Sequence, residues 1–507
     1  MLRNVRILIA AVMFAAVTML FLDFTGTLDD WFGWAAKLQF LPALLALNAV
    51  AIIVVAAITI IFGRIYCSVI CPLGIMQDII AHIGKRGKRK PYSYSPEKKW
   101  LRYPLLLVLV VAIALGLGSL TALLDPYGSY GRIAQNLLQP VYILANNGLA
   151  WIAEQVGSYA FYERDIWIRS SVTFTIAAFT FVVVAFLAWR NGRTYCNTIC
   201  PVGTLLSLLA RFSWFKIAID ESRCVKCGRC AANCKAACID IPSYSVDHSR
   251  CVTCGNCVGL CHKHAISFRH TSGKGRAAVT TDRAAEQSNT REQHTTPTGQ
   301  SRRNFLAGTL SLATTAVIAQ EKKKVDGGLA VIKDKIAPER HTPITPPGSF
   351  SAENMARHCT GCQLCVAECP NDVLRPSSSL DHLMQPVMSY ERGYCRPECT
   401  RCSSLCPTGA IRHIDKADKS SIQIGHAVWV KKNCVVVTDG VSCGNCARHC
   451  PVRAITMVKL DPNNEESLTI PAVNTERCIG CGACENLCPA RPYSAIYVEG
   501  HETHRTV

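Results

Sequence analysis

The sequence predicts an α-helical membrane domain of four spans joined to α+β ferredoxin-like iron–sulfur domains. Two observations lead to this fold class. Four apolar runs, at residues 5–22, 41–62, 104–124 and 166–189, are each long enough to cross a bilayer, which takes about 20 residues. The chain also has 29 cysteines, most of them in tight groups outside these runs. Cysteines at short, repeated intervals indicate metal ligation rather than a disulfide scaffold.

Apolar, polar and cysteine-rich stretches divide the chain into six segments. They are a four-span membrane domain (1–215), a two-cluster ferredoxin domain (216–270), a polar linker (271–300), an internal export signal or fifth helix (301–324), a proline-containing spacer (325–350) and a four-cluster ferredoxin domain (351–507).

The net charge of +18 comes largely from basic stretches beside the apolar runs. After the second run, "GKRGKRKPYSYSPEKKWLR" has eight Lys or Arg and one Glu, whereas "LDFTGTLDDWFGWAAK" after the first run is acidic and aromatic. Basic loops stay on the cytoplasmic side of a membrane. The pattern therefore predicts a multi-pass protein of the bacterial inner membrane, with a cytoplasmic N-terminus, and it argues against nucleic acid as a partner.

A repeated phrase ends the second and fourth apolar runs: "GRIYCSVICPLG" at 63–74 and "GRTYCNTICPVG" at 192–203. Each copy has two cysteines four positions apart, Cys67 and Cys71 in the first and Cys196 and Cys200 in the second. Residues four apart share one helix face, so pseudo-twofold packing of the copies would bring four thiols together. They are candidate ligands of a shared redox site or iron–sulfur cluster. A thiol/disulfide pair and small apolar residues at helix ends are the alternatives.

Two cysteine groups follow, "CVKCGRCAANC" at 224–234 and "CVTCGNCVGLC" at 251–261. In bacterial ferredoxins with this spacing, the last cysteine of each group ligates the cluster of the other group. The predicted ligand sets are Cys224, Cys227, Cys230 and Cys261 for one 4Fe–4S cluster, and Cys251, Cys254, Cys257 and Cys234 for the other. A zinc site fits less well, since it uses separated cysteine pairs. Cys238 is left over: it either substitutes for Cys234 or has no role.

Residues 271–300 are polar and predict a flexible tether. The next stretch, "SRRNFLAGTLSLATTAVIAQEKKK" at 301–324, resembles a twin-arginine export signal; an ordinary short helix with a basic start is the alternative. Because clusters are assembled in the cytoplasm, a domain that carries them has to cross the membrane folded, and the twin-arginine machinery exports folded cargo. This predicts that residues 216–300 are cytoplasmic and residues 325–507 periplasmic.

Four more cysteine groups, each ending in Cys-Pro, occupy the last segment. They are "CTGCQLCVAECP", "CRPECTRCSSLCP", "CVVVTDGVSCGNCARHCP" and "CIGCGACENLCP", beginning at residues 359, 395, 434 and 478. Sixteen cysteines in four groups predict four further 4Fe–4S clusters. The expected total is six clusters, or seven if the repeated phrases hold one. No motif for haem, flavin or nucleotide is present, so none of these is expected as a cofactor.

The two halves of the chain resemble two families. Residues 1–270, with their apolar runs, twin "YCxxxCP" phrases and two ferredoxin motifs, resemble the NapH family of membrane ferredoxins. Residues 301–507, with "SRRNFL" and four cluster motifs, resemble the MauM/NapG family. The resemblance implies a quinol dehydrogenase component fused to a periplasmic four-cluster ferredoxin. Quinol from the membrane pool would be the substrate, and a reductase of the nitrate-reductase type or a c-type cytochrome the acceptor.

The resemblance also implies how the last four cysteine groups share clusters: the first group pairs with the fourth and the second with the third. The implied ligand sets are Cys359, Cys362, Cys365 and Cys488; Cys478, Cys481, Cys484 and Cys369; Cys395, Cys399, Cys402 and Cys450; and Cys434, Cys443, Cys446 and Cys406.

Quinol oxidation needs a proton acceptor. Asp78 and His82, one helical turn apart after the first Cys-Pro, are the candidates; ordinary polar residues at a membrane surface are the alternative. Two other functions stay open. The first half also resembles membrane ferredoxins that reduce copper during oxidase assembly, which would make the chain a maturation factor. Alternatively, a cytoplasmic ferredoxin reduces the clusters of residues 224–261.

Overall fold

The structure, a computed structural model, describes residues 2–86, 92–270, 325–326, 330–331 and 333–506. The linker and the export signal or fifth helix predicted at 271–300 and 301–324 lie outside the described residues.

The first 213 residues are helical wherever the structure describes regular elements. The elements are α1 Leu2–Leu22, α2 Asp29–Lys37, α3 Phe40–Leu45, α4 Ala49–Phe62, α5 Tyr66–Val69, α6 Pro72–Arg86, α7 Lys99–Ala114, α8 Gly118–Leu124, α9 Pro126–Ile133, a π-helical turn Ala134–Leu138, α10 Gln139–Gln155, α11 Ser171–Asn191, α12 Thr194–Thr198 and α13 Pro201–Ala210. Side chains cap several starts: Ser170 accepts a hydrogen bond from the Thr173 amide at α11, and Asp125 accepts two at α9.

The prediction of four membrane spans is wrong. Among the described helices, only α1 and α11 are long and apolar enough to cross a bilayer. The apolar run 41–62 is broken between α3 and α4, where Leu47 has φ +52°, and the run 104–124 is broken at Gly116, with φ +70°. The 14 residues of α4 extend about 21 Å, less than the hydrocarbon thickness of about 30 Å. Counting apolar residues treats both sides of such a turn as one helix.

One apolar core joins these helices. Leu20 and Phe21 of α1 are fully buried there, beside Tyr127 and Tyr130 of α9. Burying a side chain of this size contributes about 1.5–3 kcal/mol. The Tyr130 hydroxyl also has a partner, since it lies 2.5 Å from that of Thr18. The core therefore holds α1 and α9 together through both packing and polar contacts.

Residues 215–270, here called the first ferredoxin module, have the predicted α+β composition. The elements are β1 Phe215–Ile219, α14 Arg229–Ala232, β2 Ile239–Asp240, β3 Ser245–Val246, α15 Asn256–Leu260 and β4 Ile266–His270. Strands β1 and β4 pair antiparallel, with Phe215 opposite His270. Strands β2 and β3 form a second antiparallel pair. The first and last strands thus close the module around its two cysteine groups.

Residues 334–506, the second ferredoxin module, are also α+β. The elements are α16 Ala352–His358, α17 Leu364–Ala367, β7 Leu374–Pro376, β8 Pro386–Met388, α18 Arg401–Leu405, α19 Lys416–Lys419, β9 Ile422–Trp429, a 3₁₀ turn Lys431–Asn433, α20 Val435–Thr438, α21 Asn445–Arg448, β10 Ile455–Lys459, β11 Thr469–Val473, α22 Ala483–Asn486 and β12 Ile496–Thr506. Three antiparallel pairs form, β7 with β8, β9 with β12 and β10 with β11. A separate short pair consists of β5 Val325–Asp326 and β6 Ala330–Val331.

The two modules contact opposite ends of α1 and α11. At the end of α11, the Arg193 amide donates to the Lys235 carbonyl of the first module. Just before α11 begins, Arg169 lies 3.5 Å from Asp372 of the second module. Helix α1 runs the other way: it starts beside the first module, and the guanidinium of Arg401 lies against Gly26 just beyond its end. Each helix therefore reaches from one module to the other.

Candidate iron–sulfur centres

The first ferredoxin module has two cavities lined by its cysteines. One is lined by all four cysteines predicted for the first cluster, Cys224, Cys227, Cys230 and Cys261. The other is lined by all four predicted for the second, Cys234, Cys251, Cys254 and Cys257, and also by Cys238. The structure therefore brings together each set of thiols that the ferredoxin spacing predicts.

The backbone around the two cavities is matched. Lys226 and Thr253, each between the first and second cysteines of a group, have φ values of +50° and +48°. Gly228 and Gly255 follow with φ values of +70° and +72°. This left-handed conformation costs little only for glycine, and it turns each loop back so that three thiols point into one cavity.

The second module differs from the pairing that the family resemblance implies. One cavity is lined by Cys434, Cys443, Cys446 and Cys488. Cys488 therefore lies with the third cysteine group, and not with Cys359, Cys362 and Cys365 as implied. Reciprocally, the Cys450 thiol interacts electrostatically with Cys478 and Cys481 of the fourth group.

The first and second groups of this module pair with each other in the same way. The Cys406 thiol interacts electrostatically with those of Cys359, Cys362 and Cys365. Cys369 interacts with Cys395 and Cys402, which lie beside Cys399. The pairing is thus first with second and third with fourth. Cysteine spacing is the same for either pairing, so only the packing of neighbouring groups into one compact unit distinguishes them.

The repeated phrases place their four cysteines in the apolar core, where each is at most 5% exposed. Cys200 precedes Pro201, the first residue of α13, and its sulfur accepts a hydrogen bond from the Gly203 amide at 3.4 Å. Cys71 precedes Pro72, the first residue of α6, in the same way. The Cys-Pro order thus places each second thiol at a helix start, where backbone amides favour a thiolate.

Two arginines hold the repeated phrases together by a reciprocal contact. Arg64 donates to the Cys196 carbonyl at 3.0 Å, and Arg193 donates to the Cys67 carbonyl at 2.5 Å. Both guanidinium groups are fully buried. We did not predict this role from the sequence, although "GR" before each "YC" was visible as part of the repeat. The paired arginines show that the two phrases pack about a pseudo-twofold axis.

The donor chemistry of this buried site fits an iron–sulfur centre. Electrostatic interactions link Cys200 to Cys67, Cys71 and Cys196, and the Gln77 amide donates to the Cys196 sulfur at 3.2 Å. Two buried guanidinium groups offset the negative charge that thiolate ligands bring. Among the described residues, no three His, Cys, Asp or Glu side chains lie close enough to hold a single metal ion. Four thiolates are the ligands that one iron–sulfur cluster requires.

Asp78 is held in a network of cations. Its carboxylate lies 2.6 Å from the Arg193 Nε and 3.5 Å from Arg6, and it forms a third ion pair with Lys235. Burial raises the pKa of this carboxyl group, but the charges of Arg193 and Lys235 outweigh burial and hold the pKa well below its usual 3.8. Asp78 therefore stays ionised, which argues against its predicted role as a proton acceptor. His82 lies one turn further on α6 and is exposed.

Comparisons with known proteins bear on both halves of the chain. A family model described as a 4Fe-4S binding domain matches residues 44–91 and 172–219, which contain the repeated phrases. A model described as a 4Fe-4S dicluster domain matches residues 358–421 and 441–491. No solved structure matches the chain.

The methylamine utilization ferredoxin-type protein MauM of Methylobacillus flagellatus is 32% identical over 166 residues, which cover 32% of this chain and 70% of that protein. The chain belongs to the MauM/NapG family of ferredoxin-type proteins. The ferredoxin-type protein NapG of Escherichia coli is 30% identical over 177 residues, covering 32% of this chain and 75% of NapG. This member of the family is therefore an iron–sulfur, ferredoxin-type electron-transfer protein. The likeness of residues 1–270 to NapH stays a prediction.

Proposed function

We propose that the chain takes electrons from quinol at a membrane and passes them to a periplasmic reductase or c-type cytochrome. One observation carries this proposal: cysteines from three parts of the chain pack into a single core. Cys254 of the first module and Cys362 of the second both contact the core that contains the thiols of the repeated phrases. Electron transfer through a protein needs such a series of neighbouring redox centres, whose chemistry the cofactors supply.

In this proposal the chain holds six 4Fe–4S clusters. Two have the ligand sets predicted for the first module. The other four follow the packing of the second module: Cys359, Cys362, Cys365 and Cys406; Cys395, Cys399, Cys402 and Cys369; Cys434, Cys443, Cys446 and Cys488; and Cys478, Cys481, Cys484 and Cys450. The thiols of Cys67, Cys71, Cys196 and Cys200 would hold a seventh centre between the modules.

Polar contacts hold both modules against the region of Cys67, Cys71, Cys196 and Cys200, here called the four-thiol site. On one side, Arg64 donates to the Ser249 carbonyl at 3.0 Å, so the arginine that binds the second phrase also holds the first module. On the other side, Arg132 donates to the Gly361 carbonyl at 3.2 Å, and Asn136 donates to Gln363 at 3.0 Å. These contacts fix the loop that carries Cys362. Water is excluded from this route because the arginines and the intervening side chains are buried.

The two long helices support association with a membrane. Their 20 and 21 residues extend about 30 Å, the thickness of a hydrocarbon core. Leu8, Val12, Phe179 and Phe186 on these helices are more than half exposed, and large exposed apolar surfaces mark membrane or protein contacts. Since each helix reaches from one module to the other, we propose that the first module is cytoplasmic and the second periplasmic.

Iron content and quinol oxidation test the electron-transfer proposal. Anaerobically purified full-length protein should contain about 24 iron and 24 sulfide per chain for six clusters, or about 28 for seven. Adding a menaquinol analogue should reduce the clusters, as followed by EPR. Reduction by a low-potential ferredoxin alone would instead favour electron entry from the cytoplasm. Copper reduction with no response to quinol would favour a maturation factor.

The thiols of the repeated phrases supply a sharper test. In the variant Cys67→Ala/Cys196→Ala, quinol should still reduce the clusters that precede the four-thiol site on the electron path. The clusters beyond the four-thiol site should stay oxidised. The variant Gly148→Ala is the matched control, because no atom lies within 4 Å of a methyl group added there. Reduction of all clusters at the wild-type rate in the double cysteine variant would contradict the proposed route.

Epitopes in two exposed turns test the topology. One is inserted after Ser243, between β2 and β3, and the other after Asn464, between β10 and β11; both residues are exposed. In spheroplasts, antibody should reach only the second. The variant Arg302→Lys/Arg303→Lys should block its appearance there if the twin-arginine machinery exports the second module. If antibody reaches neither epitope in protein that has the unmodified export signal, the assignment of the second module to the periplasm is contradicted.

A further inference from the structure

The two halves of the first ferredoxin module differ at a buried position just after the fourth cysteine of each group. Cys238 follows Cys234 by four residues, and Ala265 follows Cys261 by four residues. The two positions are equivalent in three dimensions as well. The Cys238 carbonyl accepts a hydrogen bond from the Asp247 amide at 2.8 Å, and the Ala265 carbonyl accepts one from the Asp220 amide at 2.7 Å. One half therefore has a thiol where the other has a methyl group.

This difference gives one cavity five thiols and the other four. Ala265 lines the cavity of Cys224, Cys227, Cys230 and Cys261. Cys238 lines the other cavity, where it is 1% exposed and its sulfur lies 3.6 Å from that of Cys234. Both sulfurs therefore lie next to each other in the lining of the same cavity. The thiol is thus placed among ligands and is not a residue that merely fills the apolar core.

We propose that Cys238 is an alternative fourth ligand that replaces Cys234 on the cluster held by Cys251, Cys254 and Cys257. The proposal rests on the cluster assignment made for this module. A cubane presents four irons, and each needs one protein thiolate. In the exchange, the Cys238 thiol loses its proton as it binds iron and the released Cys234 thiolate gains one. No electron is transferred, so neither an oxidant nor a reductant is required.

The exchange would keep a thiolate on one particular corner of the cluster. The fourth ligand of each cluster comes from the other cysteine group and not from the loop that supplies the first three. When it is removed, nothing else in the loop can bind that iron, and a three-iron cluster results. Cys238 gives one cluster a second donor for this corner, whereas Ala265 gives the other cluster none.

Matched cysteine variants of the full-length protein test the proposal. Cys234→Ala should keep the wild-type iron content, with no three-iron EPR signal after mild oxidation. Cys261→Ala, the matched control in the other half, should lose one iron per chain and show that signal. Cys238→Ala should resemble wild type, and Cys234→Ala/Cys238→Ala should resemble Cys261→Ala. A three-iron signal in Cys234→Ala equal to that of Cys261→Ala would overturn the proposal.

A transplanted thiol tests the same idea without relying on the folding of Cys234→Ala. The variant Ala265→Cys/Cys261→Ala should regain the iron that Cys261→Ala loses; failure to regain it, in protein whose other clusters are intact, would count against the proposal. The cluster assignment is tested separately by Cys230→Ala and Cys257→Ala. If neither lowers the iron content, the module holds no such clusters and the proposed function itself is at fault.

Discussion

The two copies of the repeated phrase are alike where they contact each other and unlike where they contact the rest of the chain. Arg64 and Arg193 donate to each other's cysteine carbonyl, and Gly74 and Gly203 lie against the same carbonyls. The next turn of helix differs. Asp78 in the first copy binds three cations, whereas its counterpart Ser207 accepts one hydrogen bond from Arg102 at 2.7 Å.

This difference separates two roles within one duplicated unit. The shared residues surround the thiols of Cys67, Cys71, Cys196 and Cys200, the four-thiol site. A substitution in one copy should therefore have the same effect as the equivalent substitution in the other copy. The unshared residues connect that site to its surroundings. Asp78 links it to Arg6 at the start of α1 and to Lys235 of the first ferredoxin module. Ser207 accepts from Arg102, which also pairs with Glu97 at 2.5 Å, and donates to the Thr204 carbonyl within its own helix.

The largest expected contrast is between Asp78→Ala and Ser207→Ala. The first leaves Arg193 and Lys235 buried without their counter-ion, which costs about 3–5 kcal/mol. The second removes one hydrogen bond from an arginine that keeps Glu97 and a local one to the Thr204 carbonyl, which costs about 1–2 kcal/mol. Thermal unfolding midpoints should therefore fall much further in Asp78→Ala. Equal falls would show that the ion-pair network adds no stability.

The acid sensitivity of this contrast follows from the lowered pKa of Asp78. A carboxylate with a lowered pKa stabilises the folded state above its ordinary pKa of 3.8, and that contribution is lost only as the pH falls towards the lower value. The gap between wild type and Asp78→Ala should therefore be the same at mildly acidic and mildly alkaline pH. A gap that closes at mildly acidic pH would contradict a permanently ionised Asp78.

The shared residues should give equal effects. In Gly203→Ala, the new methyl carbon would lie 2.5 Å from the Cys196 carbonyl oxygen and 2.7 Å from an Arg64 nitrogen. In Gly74→Ala it would meet the Cys67 carbonyl and Arg193 in the same way. Each change should cost about 1–3 kcal/mol and lower the iron content of the four-thiol site to the same extent.

Gly148→Ala in α10 is the control for both glycine variants. An added methyl group has no atom within 4 Å there, and alanine in a helix is more stable than glycine by about 0.5–1 kcal/mol. Its unfolding midpoint should rise slightly, with unchanged iron content. A clear difference between Gly74→Ala and Gly203→Ala would mean that the two copies do not share the site equally.

The smallest expected effect belongs to Gln77→Leu. Its amide donates to the Cys196 sulfur, whereas the counterpart Leu206 has no donor group. In the proposed seventh centre, removing a hydrogen bond to the Cys196 sulfur should lower the reduction potential, since such bonds stabilise the more negative reduced state. Stability should change by about 1 kcal/mol. A redox titration measures the shift, and Leu206→Met is the control that should leave the potential unchanged.

The ferredoxin spacing predicted which thiols of the first module line the same cavity because the rule is local. Three cysteines within seven positions must line one cavity when glycine allows the loop to turn. In the second module the thiols pack in a different pairing from the one that the family resemblance implies, for the opposite reason. Cys488 is separated from Cys359 and from Cys434 by long stretches of chain, and nothing in its own loop indicates which group it joins.

The sequence by itself determined the chemistry: grouped thiols that bind iron, and a duplicated phrase whose four cysteines belong together. These features are set by residue type and by spacing over a few residues. Only the tertiary structure decided that Leu47 and Gly116 break two apolar runs, that Arg64 and Arg193 each reach into the other phrase, and that three cations hold Asp78 ionised. Each of these features depends on backbone turns or on contacts between groups that are far apart in the chain. Local sequence patterns do not indicate the energies of such contacts.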